Sequence, residues 1–259
     1  MKAIENSNEL MDALRRARTE WLFLAGGDYA IDKLRAAGPI FLLGEGHSQT
    51  RVRLHGDLMP QHSSFFSELC FIHEDGIPIL DNAALTTFER VAFRSPLPAQ
   101  SHVKKMKWFE VEAKGIGVRV TNAANPDHSY KIKFRECFFD FFEIAVDIEP
   151  SPDRATTGWR FFDCESNGCR EWLHGEHISD FYIHLGNVQL AQRGLFWRGN
   201  NNTLDWLHFE RNECDVEIAE GFENYLVGVD ARRDKVIDHA TGTKWRLPRT
   251  HRNPRRPGK

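Results

Sequence analysis

Between Lys107 and Leu247 the chain is a succession of short apolar runs cut by turn residues. Its turns carry Ser166-Asn167-Gly168, Gly199-Asn200-Asn201-Asn202 and Gly221. Runs of four to eight residues rich in aromatic and β-branched side chains, bounded by Gly, Asn and Ser, are the pattern of strands. Most runs in this half of the chain therefore read as strands. The segment from residue 107 to residue 120 alternates, with Phe109, Val111 and Ala113 on one face and Glu110, Glu112 and Lys114 on the other. From residue 130 to residue 148, Ile132, Phe134, Phe138, Phe142, Ile144 and Val146 fall in one phase. The centre of that segment, Phe138 to Phe142, is apolar on both sides, which suits a strand buried on both faces. A helix there is the competing assignment.

The first third reads differently. Leu10, Met11, Leu14 and Ala17 recur at helical spacing behind a potential Ser7 cap, and the spacing predicts helix from Glu5 to Ala37, broken at Gly26-Gly27. Short strands are expected at residues 40–43, 51–55, 65–73 and 77–80, and a short helix at 82–91, capped by Asp81 or Asn82. The sum is an α+β fold: a helical N-terminus followed by a mainly antiparallel, β-rich sheet system. No internal repeat stands out. The run Glu149-Pro150-Ser151-Pro152-Asp153 is the best domain boundary, dividing 1–149 from 150–248 and leaving 249–259 as a flexible basic tail.

Composition narrows the function classes. The 259 residues suffice for a core without disulfide staples, and 19 Phe and 7 Trp argue against disorder. No apolar stretch approaches the roughly 20 residues that span a bilayer, so no membrane partner is expected. Five scattered cysteines and an N-terminus without a signal-peptide core point to the cytoplasm. The net charge of −3 conceals an asymmetry: from His239 onward there are seven Lys or Arg and no acid, so the rest carries −10. An acidic body with a basic tail leaves the tail as the expected contact for nucleic acid. Phosphate-loop, dinucleotide-binding and zinc-protease motifs are absent.

Three groups of residues carry candidate chemistry. Asp81 followed by Glu112-Ala113-Lys114 resembles the PD-(D/E)xK nuclease pattern, which implies Asp81 and Glu112 as Mg²⁺ ligands and Lys114 positioning the attacking water, with Glu68 as a further acid. Cys164, Cys169, His174 and His177 offer two thiolates and two imidazoles for a zinc ion, with His184 beyond them. Leu42-Leu43-Gly44-Glu45-Gly46-His47 resembles a segment of the erythromycin-esterase and ChaN-like proteins, which implies Glu45 and His47 as site residues. The function expected from the whole is a soluble intracellular binding or interaction protein with a protein partner. The alternative is a Mg²⁺-dependent nuclease.

Overall fold

The computed structural model describes residues 3–16, 20–97, 106–121, 129–150 and 155–246. Strand after strand pairs in parallel with the strand one turn of the chain later, which makes the fold a β-solenoid. A 15-stranded sheet runs from Ala3–Ile4 to Lys244–Arg246, and a 7-stranded sheet runs from Ile116–Val120 to Val236–Asp238 along the other side. Regular coils repeat every 21 or 22 residues, as the spacing of side chains bonded between neighbouring coils shows.

The interior is a set of ladders. Phe134 faces Phe161, which faces Ile183, then Leu204 and Leu226. Upstream, Phe66, Phe88 and Phe134 stack on one another with centroids 5.0 Å apart, and Phe134 stacks on Phe161 at 4.9 Å. Within a coil the inward residues keep one spacing. Ile132, Phe134, Cys137, Phe139 and Phe142 are buried in one coil, and Asn202, Leu204, Leu207, Phe209 and Asn212 in another. The step of three between 134 and 137, or 204 and 207, accommodates a corner residue with positive φ. Glu68, Arg90, Glu136, Asp163, Leu185 and Trp206 form that column of left-handed corners, and Gly228 continues it. Left-handed backbone costs about 1–2 kcal/mol for a non-glycine residue. Here, the flanking ladders hold it in place.

Polar side chains replace apolar ones at two inner corners of the coil at residues 202–212. Asn202 Oδ1 accepts the Phe181 N–H at 3.1 Å, and Asn212 Oδ1 accepts the Ala191 N–H at 2.8 Å. Each satisfies a backbone donor that the bend removes from the sheet.

These features correct the expected architecture. The fold is nearly all parallel β, not α+β with antiparallel sheets. Among the described residues, the helical N-terminus shrinks to one α-helix, Ser7–Arg15, whose Leu10, Met11 and Leu14 close the first end of the core. Asn6, not Ser7, caps it, and the Ser7 hydroxyl accepts the Ala30 N–H. The expected second helix is instead the strands Gly27–Ile31 and Leu34–Arg35, because Tyr29 and Ile31 alternate inward. The helix expected at 82–91 is a turn leading into the strand Thr87–Arg94. The turns between strands carry the chain around corners to the next face, where an antiparallel sheet would need them to reverse it. Strands on both sides of residue 150 pair directly, Ile144–Ile148 with Glu171–Ser179. Residues 151–154 and the basic tail 249–259 lie outside the described residues.

Candidate binding face

On the long sheet the residue before each ladder position faces outward, because side chains alternate across a strand; the ladder is buried from Leu42 to Leu226. The registers join ten such residues into one row. Trp21 stands opposite Phe41, and Phe41 opposite Phe65. Thr87, Lys133 and Arg160 follow. Tyr182, Thr203, Tyr225 and Lys244 complete it. None of the ten is buried and none is an acid. At about 4.8 Å per strand the row spans about 43 Å along the solenoid axis.

The row is built, not merely exposed. Trp21 lies 5.4 Å from both the Phe41 and the Phe65 ring centroids. The Tyr182 ring stacks on His184 at 5.7 Å and 8°. Asp205 Oδ2 accepts the Tyr182 hydroxyl at 2.9 Å and holds His184 Nδ1 at 2.9 Å. Because a carboxylate only accepts, His184 Nδ1 carries the proton of this bond. Burial, then the bond to Asp205, raises the Tyr182 hydroxyl above its ordinary pKa. The Lys244 ammonium sits 5.0 Å over the Tyr225 ring and donates to its hydroxyl at 3.3 Å.

The neighbouring outward row carries Glu89 and Asp205 as its acids, and both are engaged. Glu89 pairs with Arg90 at 2.8 Å and Arg135 at 3.8 Å, and Asp205 serves Tyr182 and His184. Across the two rows Lys133, Arg135, Arg160, Lys244 and Arg246 leave the face positive on a chain whose remainder is acidic. Acids stand at the bounding corners, Asp163, Asp180 and Glu223 among them. Trp206, 58% exposed, and Leu185, 44% exposed, project from the corner beside Asp205 and His184.

The residues singled out from sequence lie elsewhere. Asp81 accepts from the Thr121 backbone N–H at 2.7 Å and the Thr121 hydroxyl at 2.5 Å, an anchor at one end of the strand Ile116–Val120. Glu112 and Lys114 are exposed beyond its other end, where the Lys114 N–H donates to Phe141 O. That five-residue strand separates them from Asp81 by about 17 Å. The segment holding Glu112 and Lys114 is irregular, after a 3₁₀ turn at Trp108–Glu110, so the expected strand from residue 107 is confined to Ile116–Val120. Glu68 occupies a corner and pairs with Arg90.

Cys164 and Cys169 point into the core. Burial raises the Cys164 thiol well above its ordinary pKa and pushes Cys169 up to about 12. His174 faces outward between Glu171 and Glu176, its pKa raised by the bond to Glu171, and His177 is exposed at a positive-φ corner. Two inward thiols and two outward imidazoles do not converge. No cluster of three or more His, Cys, Asp or Glu able to hold a metal occurs among the described residues. His184 lies on the outer face of the long sheet, beside Tyr182. Glu45 Oε2 accepts the Gly26 N–H at 2.9 Å, and His47 packs 5.4 Å from the Phe138 ring, so each is engaged separately.

No protein-family model, no curated protein and no solved structure matches this chain. No helix among the described residues is long and apolar enough to cross a membrane.

The row was missed because its members are up to 46 residues apart in register. The signal was the recurring inward spacing. Once Asn202-x-Leu204-x-x-Leu207-x-Phe209 is aligned with Phe181-x-Ile183 and Asn224-x-Leu226, the outward row follows.

Proposed function

We propose that this chain is a binding protein that takes an extended ligand along the outer face of its long sheet. The observation that carries this reading is the acid-free row from Trp21 to Lys244, aromatic and basic, on an otherwise acidic chain. Stacked repeats make quasi-linear surfaces suited to linear partners, and clustered charge of one sign recruits the opposite sign. Of the two acids on the face, Glu89 is paired with Arg90 and Arg135, and the single charge of Asp205 is outnumbered by the five cations of the two rows.

The test is a panel of extended polyanions, namely an acidic peptide, an acidic polysaccharide and a single-stranded oligonucleotide, titrated onto the immobilised chain. At least one binds the wild type, and its binding falls in Lys133→Glu and Tyr225→Ala but holds in Ile237→Ser on the other sheet. Binding of none, or equal loss in Ile237→Ser, contradicts the proposal.

A further inference from the structure

Resting on that reading of the face, we infer that its ligand is single-stranded nucleic acid. Five of the ten row positions are aromatic and three are basic. Rings that stack bases, interleaved with cations that follow a phosphate backbone, are what strand binding without sequence preference requires. An acidic peptide offers the cations a partner but gives the rings no flat faces. A duplex hides its base faces and leaves the rings unused.

A second observation joins the row at one end. Lys244 closes it in the last described strand, Lys244–Arg246. The sequence that follows adds Arg249, Arg252, Arg255, Arg256 and Lys259 and no acid. Positive charge therefore continues in the sequence beyond the end of the aromatic row.

The experiment is fluorescence anisotropy of a 5′-fluorescein-labelled thymidine 20-mer titrated with the full chain. The oligonucleotide binds, and affinity falls as salt rises because phosphate contacts release counterions. Tyr225→Ala weakens binding about tenfold, the loss expected for one stacked base, while Tyr225→Phe keeps the ring and binds like the wild type. Lys133→Glu weakens binding and flattens the salt dependence, and Ile237→Ser changes neither. A duplex of equal length competing as well as the single strand overturns the inference, as does binding indifferent to Tyr225→Ala and Lys133→Glu. If the 20-mer fails while polyglutamate or heparin binds and loses affinity in those variants, the ligand class is wrong and the face stands. If no polymer binds, both fall.

Discussion

The Asn224 side-chain oxygen accepts the backbone N–H of Asn202 at 3.1 Å, across 22 residues of sequence and a single coil of structure. Asn224 Nδ2 in turn donates to Gly199 O at 3.2 Å, and the side chain is fully buried. Replacing it with Ala leaves a buried N–H and a partly buried carbonyl without this partner. Asn224→Ala therefore lowers unfolding free energy by about 2–4 kcal/mol, counting about 1–3 for each orphaned group with partial relaxation. Urea denaturation followed by circular dichroism measures the loss.

Phe134 lies between two rings, Phe88 at 5.0 Å and Phe161 at 4.9 Å. Truncation to Ala opens a cavity in the middle of the ladder. Phe134→Ala costs about 3–5 kcal/mol, and Phe134→Leu costs markedly less because it refills most of the volume. Chemical denaturation of the pair gives the ordering.

At Gly199 an added Cβ would stand 1.7 Å from Ile178 O. That atom is backbone of the adjacent coil and cannot rotate away. Gly199→Ala forces two coils apart and destabilises by about 3 kcal/mol or more, at or beyond the usual cost of overpacking. Thermal unfolding shows the drop directly.

His73 is buried against Phe142 and Phe93, with Nδ1 3.0 Å from Ile116 O, so Nδ1 carries the proton and donates. Burial lowers its pKa from 6.5 to about 4. The unfolded chain therefore takes up the proton first as pH falls. The neutral ring's contribution is complete above about pH 6.5 and is lost between there and about pH 4, amounting to about 3 kcal/mol. His73→Phe removes this part of the slope. Denaturation midpoints of both proteins across that range test it, and parallel profiles would count against the buried neutral ring.

Sequence patterning located many strands well. Residues 65–73 were expected as a strand and form Phe65–His73, and the apolar run at 40–43 contains Phe41–Leu43. What it did not reveal was how they pair. Two strands joined by a Gly- or Asn-containing turn look alike whether the turn folds them into a hairpin or carries the chain around a corner. The deciding feature was the three-residue inward step across a left-handed corner, and most of those corners are held by Glu, Arg, Asp, Leu or Trp instead of glycine. Tyr29 and Ile31 shared their segment with enough helix-compatible residues to suggest a helix, until pairing with the strand Thr50–Leu54 decided otherwise. The candidate sites suffered from the same gap. Cys164 and His174 are close in sequence, but alternation sends one into the core and the other out. Thr87 and Thr203 are far apart in sequence and share a row.

That last relationship is the most direct test of the solenoid and its binding face together. Four register steps, through Lys133, Arg160 and Tyr182, connect Thr87 to Thr203, or about 19 Å at 4.8 Å per strand. Cys214 is the one cysteine not fully buried. With Cys214→Ser as background, spin labels at Thr87→Cys and Thr203→Cys report the separation by pulsed dipolar spectroscopy. A narrow distribution centred at about 19 Å, widened by a few ångströms of label linker, is the predicted result. A distance beyond about twice that, or a broad distribution, would contradict the continuous row and the function built on it.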